Sequence, residues 1–186
     1  MDKFQNEKNQ FLAKKDRSRK GSIDLKIRRL VNKINSFDQF YTTSSCAGRI
    51  LLFSEGKKKH DVKWIFCSHD KIKKIEAKIL KETVYFKQEG FIIHVACDSI
   101  ESATALLSIA NKAGIRRAGI KALTNKIIVE ISSSNQFETI FSRNNKIIIT
   151  NEYQKELIAE ANKRLGRNWK KINQLTKSLS QLDSSQ

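Results

Sequence analysis

The chain of 186 residues has no proline and only 7 glycines. Without proline, element boundaries must be read from glycine, polar clusters and changes of hydrophobic period. The Gly-x-Gly-x-x-Gly fingerprint and the phosphate-loop lysine motif are both missing, which excludes an ordinary nucleotide-binding half. No apolar run approaches the roughly 20 residues that span a bilayer. The first residues, Met1 to Asn6, lack the apolar block of a secretion signal. Cysteine is scarce and odd in number: Cys46, Cys67 and Cys97, with no Cys-x-x-Cys pair. That argues against a disulfide scaffold and for a reducing, cytoplasmic setting. Cys67-Ser-His69 and His94-Val-Ala-Cys97 offer metal-ligand types, but strand residues three apart point to opposite faces, and two ligands do not make a zinc cage. No metal is expected.

Acid is also short. Thirty-six Lys and Arg stand against 19 Asp and Glu, a net charge of +17. The excess sits at the ends, +9 over residues 1–60 and +5 over residues 143–186, against +3 between them. A field of that size favours a polyanion, and nucleic acid is the usual one.

What is present is a chain with 39% hydrophobic residues, enough for a core, and a length that suits one domain over 1–186. Residues 1–20 read as a basic helical arm with a thin apolar edge at Phe4, Phe11 and Leu12, followed by Lys14, Lys15, Arg17, Arg19 and Lys20. Ser22 is expected to cap a second helix with Asp24 in its first turn. Ile23, Ile27, Leu30, Val31 and Ile34 form its 3.6-residue stripe, and Lys26, Arg28, Arg29 and Lys33 its outer face. Strands are predicted over 49–54 and 62–68, joined by the charged loop 55–60. A short helix is predicted over 71–81 with Ile72, Ile75 and Ile79 inward. A hairpin is predicted from 83–87 to 91–97 through Gln88-Glu89-Gly90. A helix over 99–113 stops at Gly114. Strands over 119–123 and 126–132 turn at Thr124-Asn125, and a weaker pair, 136–141 and 146–150, follows. Residues 151–182 repeat apolar positions in helical steps, with Gly166 as a candidate break. Hairpins between helices predict an α+β fold with a mixed, largely antiparallel sheet and a long C-terminal helix, not a doubly wound one.

Candidate chemistry centres on Tyr41 to Phe53. Thr42, Thr43, Ser44 and Ser45 supply hydroxyls, Cys46 a thiol, Gly48 flexibility and Arg49 a cation, ahead of the strand that starts there. Such a polar elbow can cradle an anion or a ligand tail; the plainer reading is a Ser/Thr-rich turn. His69-Asp70 closes one strand. His94 sits mid-strand on the face opposite Phe91, Ile93 and Val95, and would form a proton-handling cluster if the sheet gathers these groups. Cys46 as a nucleophile would need a neighbouring base.

Several blocks together resemble one family: Lys20-Gly-Ser-Ile-Asp24, Tyr41-Thr-Thr-Ser-Ser-Cys-Ala-Gly-Arg-Ile50, Trp64 to Asp70, Phe86-Lys87 through Phe91-Ile-Ile-His-Val95, and Gly114-Ile-Arg-Arg-Ala-Gly-Ile120. These are similar to the methyltransferases of wybutosine synthesis, the third enzyme class of that pathway, in a short, archaeal-type form. Ala47, Gly90, Ser132 and Ile140 depart from the pattern, which often has Ser, Pro, Arg and Pro there. The resemblance implies a transferase that uses S-adenosylmethionine to methylate N4 of a modified guanosine just 3′ of the anticodon in phenylalanine tRNA. On that basis Thr43, Ser44, Ser45, Cys46, Gly48 and Arg49 are expected to hold the donor. Ser45, His69, Asp70, His94 and Asp24 are expected around the reacting group. Lys20, Arg28, Arg29, Arg49 and Lys87 are expected to contact the anticodon loop and stem. The alternative from another class is a basic RNA-binding module without catalysis.

Overall fold

A computed structural model describes residues 2–14, 21–54, 62–75 and 80–183. The loop at 55–60, the basic residues Lys15 to Lys20 and Ile79 lie outside the described residues. The chain divides into two compact units: Met1–Ala47, Phe91–Ser133 and Trp169–Gln186 form the first, and Gly48–Gly90 with Ser134–Asn168 the second.

The first unit is a four-stranded antiparallel sheet with helices. Its strands are β1 (Phe40–Cys46), β5 (Ile92–Cys97), β6 (Ala118–Ala122) and β7 (Ile127–Ser132), in the order β1-β5-β7-β6. One face carries Ile93, Val95, Val129 and Ile131, all fully buried. Against it pack α2 (Leu25–Asn35) through Ile27, Leu30, Val31 and Ile34, α3 (Ile100–Lys112) through Ala103, Leu106 and Ala110, and Ile172, Leu175 and Leu179 of the last helix. Each of these buried Ile, Leu and Val side chains contributes about 1.5–3 kcal/mol by leaving water, before chain entropy is subtracted. Helix α3 starts where predicted: the Ser99 hydroxyl accepts from the Ser102 N–H at 3.1 Å, and Gly114 leaves the helix at φ +76°. Helix α1 (Lys3–Leu12) is shorter than the predicted arm. It docks on Tyr41, with the rings of Phe4 and Phe11 at 5.3 and 5.4 Å.

The second unit holds β2 (Arg49–Ser54), β3 (Lys63–Ser68), β4 (Val84–Glu89), β8 (Phe137–Arg143) and β9 (Lys146–Ile147), in the order β3-β2-β4-β8-β9, again antiparallel. Asn144 and Asn145, at φ +50° and +58°, make the tight turn between β8 and β9. Helix α4 (Asn151–Asp183) runs 33 residues without a break at Gly166. Its first half buries Leu157, Ile158, Ala161 and Leu165. No described helix is long and apolar enough to cross a membrane.

Four sequence expectations are corrected. The hairpin over 83–97 does not form: β4 pairs with β2 and β8, whereas β5 pairs with β1 and β7. The polar elbow is mostly strand β1, leaving only Ala47-Gly48 as a turn, and β1 pairs with β5 rather than with β2. Residues 71–75 are not helical. The Asn162 side chain takes the place of a helical ladder there, accepting from the Ile72 N–H at 2.9 Å and donating to the Ile72 carbonyl at 2.8 Å. Ser22 does not cap α2. Asp24 occupies that position but caps nothing with its side chain, which instead accepts from the Ala47 N–H at 3.0 Å.

Candidate functional site

The face of the first unit's sheet turned away from α2 and α3, covered by α1 only at its Tyr41 end, carries a polar row that crosses all four strands. The ladder pairs Ser44 with His94, His94 with Glu130, and Glu130 with Gly119. Successive strand residues point to opposite faces, so this row is the reverse of the one that buries Ile93, Val95, Val129 and Ile131. A bulge between Thr42 and Ser44 decides which hydroxyl joins it. An even register from Thr42, which pairs with Val95, would set Thr43 opposite His94; the extra residue moves Ser44 there instead.

Side-chain geometry completes the row. Ser44 Oγ lies 2.8 Å from His94 Nδ1, and His94 Nε2 lies 2.9 Å from Glu130 Oε2. The same Glu130 oxygen accepts from Lys121 Nζ at 2.7 Å. The lysine contact first and the histidine contact second hold the Glu130 carboxyl below its ordinary range. Beyond Glu130, where Gly119 contributes no side chain, a surface cleft of about 360 Å³ opens, with Arg116, Arg117 and Lys121 in its lining. A row that joins a hydroxyl, an imidazole and a carboxylate can move a proton at its hydroxyl end.

Of the expected site residues, Ser44, Thr43 and His94 come together: the Thr43 hydroxyl donates to the His94 carbonyl at 3.4 Å. Ser45 pairs with Ile93 and turns to the other face. Asp24 is buried and fixes the backbone at Ala47. Cys46 is half-buried at the end of β1, opposite Ile92. Arg28 and Arg29 are exposed on α2, in the layer that covers the opposite face of the sheet from His94. Lys20 lies outside the described residues.

In the second unit, Gly48 adopts φ +92° and has the Glu89 carbonyl 2.9 Å from where a Cβ would sit. Arg49 is committed: its Nε donates to Glu89 at 2.5 Å and its guanidinium lies over the Trp64 ring at 4.3 Å. Lys87 is paired with Glu138 at 3.0 Å. His69 and Asp70 follow β3, the first half-buried and the second exposed, with the Ser68 hydroxyl bridging the Asp70 backbone.

The family model for Methyltransferase TYW3 matches residues 6–181. The chain belongs to that family. Among its relatives is the tRNA wybutosine-synthesizing protein 3 homolog of Danio rerio, 35% identical over 190 residues that cover 96% of this chain and 75% of that protein. Another, from Methanocaldococcus jannaschii, is the tRNA(Phe) 7-((3-amino-3-carboxypropyl)-4-demethylwyosine(37)-N(4))-methyltransferase, 32% identical over 158 residues, 80% of this chain and 82% of that one. The solved structure of the PH1069 protein from Pyrococcus horikoshii OT3 superposes with a TM-score of 0.83 at 26% identity, covering 98% of this chain and 96% of that one. The family resemblance and the α+β class read from the sequence are therefore both borne out.

In this family member, sequence reasoning missed Glu130 and Lys121, and gave no role to Arg116 and Arg117, which it quoted only within the Gly114 to Ile120 block. Glu130 did leave a trace: it is the one charged residue in Ile127-Ile-Val-Glu-Ile-Ser132. A lone acid in an apolar strand marks a wet face or a partnered carboxylate. Ser132, where the family pattern has Arg, turns its hydroxyl to the Arg117 carbonyl at 3.4 Å. Ile140, in place of Pro, stands in β8 opposite Tyr85 of β4.

Proposed function

We propose that this chain transfers a methyl group from S-adenosylmethionine to N4 of the aminocarboxypropyl-demethylwyosine nucleotide beside the anticodon of phenylalanine tRNA, in the cytoplasm. The observation that carries the reading is the Ser44–His94–Glu130 row in a member of a methyltransferase family. The open face of the sheet combines acceptors (Thr43, Ser44, Glu130) with cations (Lys121, Arg116, Arg117). That donor set fits a ligand with an ammonium and a carboxylate, as at the amino-acid end of S-adenosylmethionine. When bound, this co-substrate supplies a methyl group on a sulfonium.

The protein's own part is orientation, exclusion of water and removal of one proton from the acceptor nitrogen. His94 is the base, and Ser44 stands between it and the acceptor. Arg116, Arg117 and Lys121 hold phosphate or carboxylate groups of the RNA, and the net charge of +17 draws the polyanion in.

The test uses the purified chain, S-adenosylmethionine and phenylalanine tRNA that already carries the aminocarboxypropyl precursor. Mass spectrometry should show that nucleoside one methyl heavier. A chain that binds this tRNA, gives no heat with S-adenosylmethionine and leaves the nucleoside unchanged is a basic RNA-binding module instead.

A further inference from the structure

Glu130 lies midway along β7 between two fully buried neighbours, Val129 and Ile131, so its side chain is held on the open face by the pleat itself. One of its oxygens, Oε2, serves both His94 Nε2 at 2.9 Å and Lys121 Nζ at 2.7 Å. A carboxylate paired with an ammonium stays ionised at neutral pH and can only accept. The proton between Glu130 and His94 must then belong to Nε2. A neutral imidazole with its proton on Nε2 leaves a lone pair on Nδ1. Ser44 Oγ, 2.8 Å from Nδ1, therefore donates its own hydrogen inward. Its lone pairs are left facing outward from an exposed residue.

We propose that Glu130 is a positioning residue of the reaction: it locks His94 in the Nε2–H tautomer, so that Ser44 presents a lone pair, not a proton, to the acceptor nitrogen. This rests on the methyl-transfer reading above. In the step, the acceptor N–H bond breaks as the new N–C bond forms, and the sulfonium's C–S electron pair returns to sulfur. The acceptor proton passes to Ser44 Oγ while the Ser44 proton moves to His94 Nδ1. The resulting imidazolium keeps its Nε2–H against Glu130, whose negative charge stabilises it. Without Glu130 the ring is free to carry its proton on Nδ1, where it would donate to Ser44 and turn the hydroxyl hydrogen towards the substrate. Lys121 acts one step further back, by keeping Glu130 ionised.

The test begins with proton–nitrogen NMR of the histidine rings in the substrate-free protein, with His94 assigned by the His94→Gln variant. The wild type should carry its proton on Nε2, and Glu130→Ala should mix the tautomers. In steady-state assays at saturating S-adenosylmethionine, Glu130→Ala should lower kcat on the order of 10²-fold with the KM for tRNA within about twofold, the pattern of a lost transition-state contact. Glu130→Gln keeps the volume, guards against a misfolded alanine variant, and should lower kcat at least tenfold. A wild-type ring protonated on Nδ1, or wild-type kcat in both variants, overturns the positioning role. The NMR result needs no turnover, so an Nε2–H ring in a chain that methylates nothing supports the lock and overturns only the reaction.

Discussion

His94 Nδ1 and Ser44 Oγ lie 2.8 Å apart although 50 residues separate them in sequence. The contact exists because β1 and β5 are neighbours and because a bulge sets Ser44, rather than Thr43, opposite the ring. Two adjacent serines are thereby given different environments, Ser44 beside His94 and Ser45 beside Ile93.

Ser44→Ala should accordingly reduce kcat on the order of 10²-fold, while Ser45→Ala should cost less than about tenfold. Steady-state rates on precursor tRNA measure both. Equal losses would show that the face of the strand does not decide the role.

Gly48→Ala should destabilise the fold by about 2 kcal/mol or more. The position is left-handed, at φ +92°, and an added Cβ would meet the Glu89 carbonyl at 2.9 Å. Denaturant titration is the measurement, and a midpoint equal to wild type would refute the strain.

Arg116→Ala and Arg117→Ala should each lower the salt dependence of tRNA binding by about one unit of slope, as expected for one phosphate contact apiece. Both residues are exposed beside the cleft that ends at Glu130. Arg28→Ala, on the helix layer behind the sheet, provides the comparison. A larger slope change there would move the RNA track to the other face.

Helix α1 is held by a charged latch. Glu7 accepts from the Tyr41 hydroxyl at 3.0 Å and pairs with Lys126, and Lys126 lies 3.1 Å from the same hydroxyl. The Lys126 contact leads in holding the Glu7 carboxyl below its ordinary range. A depressed carboxylate stabilises the fold above its unfolded pKa, and that stability is lost as pH falls through the lowered folded value. Glu7→Gln should therefore cost less than about 1 kcal/mol at neutral pH, the side chain being partly exposed. The gap between variant and wild-type melting temperatures should begin to narrow below the ordinary glutamate pKa of about 4.3 and close once the pH has fallen through the lowered folded value. A gap that persists there would assign the effect to packing.

Alkylation should separate two cysteines. Cys67 is exposed on β3, whereas burial pushes the Cys97 thiol up to about 12. Iodoacetamide on the native protein should label Cys67 and spare Cys97 until the protein is denatured, as read by peptide mass spectrometry.

Much of this molecule was legible in the sequence because much of it is locally determined. The stripe of α2, the extent and Gly114 stop of α3, the bounds of β2 and the long α4 follow from period, turn residues and propensity within a dozen residues. His94 could be placed on the face opposite Ile93 and Val95 because alternation needs no partner strand. Pairing, in contrast, is a non-local choice. Gln88-Glu89-Gly90 looks like a hairpin turn, yet the strands on either side of it belong to different sheets, since each completes a ladder with segments dozens of residues away. The Ser44–His94–Glu130 row depends on two such ladders and one bulge, and a shift of a single residue in any of them would turn its side chains to the wrong face. The elements, the charge and the family are written in local stretches of chain; which hydroxyl meets the imidazole and which acid stands behind it are not, because strand register is settled by burying one face of the whole sheet at once.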